Sequence, residues 1–174
     1  MLIVFGGLPG TGKTTLARAL AGEIRAAWLR IDAIEQALRA SAMLAGEVGP
    51  AGYMVAQALA AANLRIGLTV VADCVNPLAV TRNAWRQVAA DAGAPILEIE
   101  VICSDPVEHQ RRVATRRADI EGHALPDWAA VQRHVYAPWD RPRLVLDTAG
   151  RSVAACIAAL RAALPAPAVS ARRP

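Results

Sequence analysis

The chain has 174 residues, of which 55% are hydrophobic, and it carries a formal net charge of +4 at pH 7. This length is most simply one domain with a substantial core, and the mild positive charge suits anionic ligands without establishing nucleic acid as a partner. No apolar run reaches the roughly 18 residues of a membrane span, and three unpatterned cysteines favour reduced thiols in a cytoplasmic protein without a signal peptide.

The first predicted strand, Leu2 to Phe5, leads into a glycine-rich turn and a helix-like run from Leu16 to Ala21. The turn fits the pattern G-x-x-x-x-G-K-[ST]. Its fixed positions are Gly7, Gly12, Lys13 and Thr14. Backbone N–H groups of such a loop surround a phosphate, because glycine has no Cβ to block the approach. The sequence therefore predicts a nucleoside-triphosphate site bound by Leu8, Pro9, Gly10, Thr11, Gly12, Lys13, Thr14 and Thr15.

Lys13 is the only lysine in a chain whose other basic residues are all arginine. We expect its ammonium group to contact the β- and γ-phosphates of ATP and the hydroxyl of Thr14 to bind Mg²⁺. The alternative is a chance match, which average residue frequencies place at about one chain in a few hundred. The position between a strand and a helix favours the phosphate site.

Two aspartates follow predicted strands. Asp32 ends the run from Ala27 to Ile31, and Asp73 ends the run that starts at Leu68. Because parallel sheets bind ligands beyond the carboxyl ends of their strands, both should lie near the phosphate loop. Asp32 is predicted to be a general base or an anchor for an attacking hydroxyl, or else a helix N-cap. Asp73 is predicted to hold Mg²⁺ through water, or else to cap the turn into Asn76.

The remaining elements alternate between helix and strand, which predicts an α/β fold with a parallel sheet. Helices are expected after Asp32 and Gly52, after Asn76, after Asp105 and at the end of the chain. After Asp32, strands are predicted over 68–73, 96–103 and 143–147. Helices are predicted over 33–40, 53–66, 81–92, 127–135 and 152–164, and one more is opened by Asp105 and Pro106. Loops are predicted over 41–52 and 119–126. We expect one domain over residues 1–164 and a disordered tail over 165–174.

The helix after Asp105 is expected to carry a cluster of four arginines within residues 111–117. Arg112 and Arg116 would lie four residues apart on one helical face, where they could close over a triphosphate and stabilise the charge that develops during phosphoryl transfer. A solvated face of like charges is the alternative.

The three histidines are interpreted as surface or helix residues. The segment Asp147 to Gly150 copies the D-x-x-G element of small GTPases, but it comes too late in the chain and is interpreted as the exit of the last strand, near an adenine.

With these motifs assembled, the chain resembles the P-loop kinases that include polynucleotide 5′-hydroxyl kinase, adenylylsulfate kinase and the zeta-toxin-like enzymes, and bacterial ATP-binding proteins of the same type. The resemblance covers about residues 1–150. It implies a five-stranded parallel sheet with helices on both faces and a basic helical lid over about 105–135. It also implies a phosphate cradle, a hydroxyl-activating aspartate at Asp32, a metal-side aspartate at Asp73 and lid arginines at Arg112 and Arg116.

One position departs from that family. Its kinases commonly carry, three residues after the base aspartate, an arginine that grips a phosphate on the acceptor, whereas this chain has Glu35. A glutamate would repel a phosphate-bearing acceptor. The sequence therefore predicts an ATP- and Mg²⁺-dependent kinase that phosphorylates a hydroxyl of a small neutral or cationic molecule. A polynucleotide 5′-hydroxyl kinase and a non-catalytic ATP-binding switch remain alternatives, and the oligomeric state is open.

Overall fold

The computed structural model describes residues 1–41 and 46–164. Five strands form one sheet in the spatial order β2-β3-β1-β4-β5, and every neighbouring pair is parallel. The strands are β1 Leu2–Gly6, β2 Ala27–Arg30, β3 Val70–Asp73, β4 Ile96–Ile102 and β5 Leu144–Asp147. The predicted α/β architecture with a five-stranded parallel sheet is confirmed.

Seven helices occur in the described residues. They are α1 Lys13–Ile24, α2 Ile31–Ala40, α3 Ala51–Arg65, α4 Ala79–Asp91, α5 Pro106–Thr115, α6 Trp128–Arg133 and α7 Val153–Ala163. Helix α1 extends beyond the predicted run from Leu16 to Ala21 and ends at Ile24, and its C-cap, Arg25, has left-handed backbone angles. None of the helices is long and apolar enough to cross a membrane. The predicted tail over 165–174 lies outside the described residues.

The side chains of the central strands alternate between two separate cores. Ile3 and Phe5 of β1 contact the core formed with α1 and α7, whereas Leu2 and Val4 contact the core formed with α3 and α4. This alternation follows from the two-residue repeat of a strand. With helices covering both faces, the strands can be fully apolar, which explains the continuous hydrophobic run of β1. Ligands are therefore restricted to the ends of the strands.

The carboxyl ends of β1, β3 and β2 determine where the candidate functional residues lie. Val4 pairs with Ala72 and Phe5 with Asp73 in the parallel register of β1 and β3, so the phosphate loop and Asp73 leave the sheet side by side. Arg30 pairs with Asp73 on the other side. All three chain segments thus reach the same edge of the sheet.

Candidate active site

The phosphate loop runs from Gly7 to Thr14 and depends on three glycines with positive φ. Gly7, Gly10 and Gly12 have φ values of 139°, 87° and 92°. A Cβ at Gly7 would collide with the carbonyl oxygen of Val101, and a Cβ at Gly10 would collide with the side chain of Val113. Gly7 and Gly10 therefore disfavour other residues on two grounds, the backbone conformation and the available space, and Gly12 does so by its backbone conformation.

Leu8 and Thr11 brace the turn and do not line the cavity above it. The Thr11 hydroxyl donates to the Leu8 carbonyl at 2.9 Å, and Thr11 is buried. The Pro9 carbonyl lies 2.8 Å from Nε2 of His109 on α5. The remaining predicted cofactor residues, Pro9, Gly10, Gly12, Lys13, Thr14 and Thr15, all line the cavity.

Lys13 and Thr14 begin helix α1, so their position coincides with the positive end of its dipole. Lys13 is only 7% exposed, although it lines the cavity. The Thr14 hydroxyl donates to Oδ1 of Asp73 at 3.2 Å. The predicted lysine, hydroxyl and strand-end carboxylate therefore lie together at one point.

Asp73 is almost fully buried, and burial raises the pKa of its carboxyl group while nearby Lys13 and Thr14 oppose that shift. Its Oδ2 atom is buried without a hydrogen-bond partner in the described residues. An oxygen of this kind beside a threonine hydroxyl fits a Mg²⁺ ion, which prefers oxygen ligands and keeps waters and phosphate oxygens in its remaining positions. Among the residues described, no group of three or more histidine, cysteine, aspartate or glutamate side chains that could hold a metal occurs.

Asp32 lies in the first turn of α2 and not at the end of a strand, because β2 stops at Arg30. Its side chain is not an N-cap, since the cap position is Arg30 and no side chain caps this helix. The Asp32 carboxylate is 31% exposed and lies 4.0 Å from Nε of Arg30. It is accessible from the space above the phosphate loop, which the predicted base requires.

Arg112 lies on α5 and is held by three contacts. Its guanidinium donates to Oγ1 and to the carbonyl oxygen of Thr148 at 2.8 and 2.9 Å, and to Oε1 of Glu108 at 2.7 Å. Thr148 follows β5, and its Oγ1 also lies 2.9 Å from the carbonyl oxygen of Thr11. The exit of β5, which we predicted to lie near an adenine, thus joins α5 to the phosphate loop.

Arg116 is not on the same helical face as Arg112, contrary to our prediction, because α5 ends at Thr115 and Arg116 is an extended C-cap. Its Nη2 donates to the carbonyl oxygen of Pro126 at 3.1 Å, and burial lowers its pKa. The segment after α5 contacts β2 as well, since Arg30 at the end of β2 forms a two-bond ion pair with Asp119 at 2.8 and 2.9 Å. Both predicted lid arginines nevertheless line the same cavity.

The large cavity above the phosphate loop has a volume of about 720 Å³. Its charged walls are strongly cationic, because basic groups far outnumber the two carboxylates, Asp32 and Asp119. The basic side chains are Lys13, Arg18, Arg30, Arg112, Arg116, Arg117 and Arg151. A cavity of this size and charge can hold a nucleoside triphosphate.

A second cavity of about 360 Å³ adjoins the large one. Asp32, Val75 and His134 line both. The second cavity lies between α2, the start of α3 and the turn after β3, and its other polar side chains are Glu35, Tyr53 and Thr81. Asp32 is therefore at the junction of two spaces, as expected of a group that would act between two substrates.

Sequence reasoning missed two residues that organise this region. His109 lies on helix α5, as the interpretation of the histidines as surface or helix residues allowed, but it is buried, contacts the Pro9 carbonyl and packs edge-on against Trp128. Arg82 is completely buried and donates to the carbonyl oxygens of Asn76, Pro77, Ala137 and Pro138. Its guanidinium also lies over the Trp139 ring at 4.1 Å. The sequence indicates the turn at Asn76 and Pro77, but an arginine within a predicted helix gives no sign that it donates hydrogen bonds to that turn.

The sheet order, the phosphate loop and the strand-end carboxylate define a P-loop protein with a kinase fold. The family model described as an AAA domain, AAA_33, matches residues 2–135. The chain belongs to this AAA_33 family, and the resemblance to P-loop kinases is confirmed.

Two curated relatives are similar over most of the chain. A protein of Aeropyrum pernix named "Probable adenylyl-sulfate kinase" is 27% identical over 164 residues, which cover 84% of this chain and 82% of that protein. The uncharacterized protein Rv2004c of Mycobacterium tuberculosis is 31% identical over 161 residues, which cover 86% of this chain. The match spans only 32% of the length of the mycobacterial protein.

Solved structures share the fold. The adenylyl-sulfate kinase CysC of Mycobacterium tuberculosis, in complex with AMPPNP and APS, has a TM-score of 0.67 at 21% identity and covers 92% of this chain and 95% of its own. A gluconokinase from Sinorhizobium meliloti has a TM-score of 0.60 at 16% identity and covers 90% of this chain and 86% of its own. These neighbours share a fold that serves different small molecules.

Proposed function

We propose that this protein transfers the γ-phosphate of ATP, with Mg²⁺, to a hydroxyl group of a small molecule. The observation that carries the proposal is the junction at Asp32, where a cationic cavity above a phosphate loop meets a second cavity. The first would bind the nucleotide and the second the acceptor. The kinase domain would comprise residues 1–164, with a lid over about 105–135. A cytoplasmic location would fit the free thiols, because the cytoplasm is reducing.

Each residue has a role that its position supports. The amides of the loop and Lys13 would hold the β- and γ-phosphates, and Arg112 and Arg116 would stabilise the charge of the transferred group. Thr14 and Asp73 would hold Mg²⁺. When bound, the ion would neutralise phosphate charge. The acceptor oxygen attacks the γ-phosphorus, the bond to the β–γ bridging oxygen breaks, ADP leaves and Asp32 receives the hydroxyl proton.

The test is transfer of γ-labelled phosphate from ATP to a panel of sugars, amino sugars, nucleosides, adenylylsulfate and a 5′-hydroxyl oligonucleotide. We expect label on a small molecule and a loss of about 10²–10⁴-fold in kcat in Asp32→Asn, with unchanged ATP affinity. Asp91→Asn, an exposed carboxylate on α4, is the matched control. Equal rates in Asp32→Asn and the wild type would show that Asp32 is not the base.

Polynucleotide 5′-end phosphorylation is a second candidate, since the arginines of the large cavity could also contact a nucleic-acid backbone. The acidic second cavity opposes it, because a 5′-terminal nucleotide would bring a phosphate close to Glu35. Label on the oligonucleotide at low salt would favour this candidate. Tight ATP binding without transfer to any acceptor would instead favour a nucleotide-binding switch.

A further inference from the structure

The walls of the second cavity differ from those of the large cavity in one chemical respect. Among the described residues that line it there is no arginine or lysine, whereas two carboxylates, Asp32 and Glu35, face it. Leu78 and Pro50 supply apolar surface, and the hydroxyl of Tyr53 accepts a hydrogen bond from the Asn76 backbone at 3.0 Å. The cavity is therefore small, partly apolar and anionic.

Glu35 is the carboxylate that lines this cavity without also lining the large cationic cavity. Its side chain is 21% exposed, and its one ion pair in the described residues is a 3.4 Å contact with Arg39 one helical turn later. Arg39 is 47% exposed, so this contact contributes little. Burial raises the pKa of Glu35, and the charges of Arg39 and Asp32 act in opposite directions on it.

Gly52, at the start of α3, leaves the space that the side chain of Glu35 occupies. Gly52 is buried, and a Cβ there would collide with Cγ of Glu35. Asp32 differs, because Arg30 lies beside it and the charge of Arg116 acts on it from the large cavity. The two carboxylates thus differ in their surroundings: Asp32 lies among the arginines of the large cavity, whereas the one ion pair of Glu35 in the described residues is with the exposed Arg39.

We propose that the second cavity selects acceptors that carry an amine, with Glu35 binding the ammonium group while Asp32 takes the hydroxyl. The substrate class is an amino alcohol or amino sugar. This inference rests on the proposed kinase function, which it deepens. An ammonium group would satisfy the half-buried Glu35 carboxylate by a charge-assisted hydrogen bond, whereas a phosphate or carboxylate at the same place would be repelled.

The experiment uses acceptors matched in shape and different in charge: glucosamine with glucose and N-acetylglucosamine, and 2-aminoethanol with ethylene glycol. Binding is measured by calorimetry at neutral pH with Mg²⁺ and AMPPNP, and transfer is measured with labelled ATP. In at least one set we expect the amine to bind at least 10-fold more tightly than its neutral counterpart. Glu35→Gln should remove this preference by weakening the amine alone, with AMPPNP affinity unchanged.

Glu47→Gln is the matched control, because Glu47 is an exposed carboxylate of the neighbouring segment that does not line the cavity. It should leave the preference intact. If no amine binds more tightly than its neutral counterpart, or if Glu35→Gln keeps the preference, the inference is wrong. Phosphate transfer to neutral acceptors that does not depend on Glu35 would contradict the amine site and support the proposed kinase function. A preference for amines without any phosphate transfer would support the amine site and contradict the kinase function.

Discussion

The large cavity and the second cavity share Asp32, Val75 and His134, yet their remaining walls carry opposite charges. The large cavity is lined by Lys13 and six arginines, whereas the second presents Glu35 and no basic side chain other than the shared histidine in the part that the structure describes. Under the proposed function, these opposite potentials would favour the triphosphate in the large cavity over the second cavity.

The largest expected effect comes from removing the central positive charge of the large cavity. Lys13→Met should lower kcat/KM for ATP by about 10³-fold, since a buried donor to the phosphates is lost. Steady-state kinetics with varied ATP measure the loss. Arg65→Met, at the exposed end of α3, is the control and should change little. A loss below 10-fold in Lys13→Met would contradict the charge assignment of this cavity.

Arg82→Met should break the support behind the acceptor side. Arg82 donates to four carbonyl groups on two chain segments, and the variant leaves these buried acceptors unpaired. We expect the free energy of unfolding to fall by about 3 kcal/mol, measured by urea denaturation. Because Pro77 lines the second cavity, acceptor binding should weaken more than ATP binding. A loss no greater than that of Arg65→Met would contradict this support.

The adjacent residues Arg112 and Arg111 allow a matched test of the lid. Arg112 lines the large cavity, whereas the Arg111 side chain is 71% exposed and does not line it. Arg112→Ala should lower kcat by about 10²-fold, because a donor to the transferred phosphate is lost, and Arg111→Ala should lower it less than threefold. Rapid-quench measurement of the transfer step distinguishes this effect from slow product release. Similar losses in both variants would indicate a general effect of helix charge.

The smallest effect concerns the metal side of the phosphate loop. Asp73→Asn should raise the Mg²⁺ concentration needed for half-maximal rate by about 10-fold, since a neutral amide is a weaker ligand than a carboxylate. A Mg²⁺ titration at saturating ATP measures the shift. Asp91→Asn should leave the titration curve unchanged. An identical curve for Asp73→Asn would mean that its unpaired Oδ2 serves another purpose.

The elements that depend on local pattern could be predicted from the sequence. The phosphate loop requires glycine at fixed places, and β1 and β3 are apolar because both faces of the sheet are covered. The meeting of Asp73 with Thr14 followed from the strand-end rule. Asp32 lies at the same edge, but in the first turn of helix α2 and not at a strand end, since α2 begins at the buried Ile31.

The elements that depend on tertiary contacts could not be predicted. Arg116 leaves the helix because its guanidinium bonds to Pro126 ten residues later, and no local signal stops α5 at Thr115. His109 and Arg82 look like surface residues on amphipathic helices, yet each is buried against backbone carbonyls. Polar side chains can be buried when such acceptors are available, and the acceptors come from distant segments.

The position of Lys13 has a consequence for chemical labelling. Because it is the only lysine in the chain, an amine-selective reagent finds one side-chain target, and that target lies at the start of α1 in the large cavity. Met1 lies before β1 and does not line that cavity. Acylation of Lys13, followed by mass spectrometry, would therefore report whether a ligand occupies the large cavity. Lys13 would thus serve as the reporter group in the unmodified chain, without a tag or a substitution.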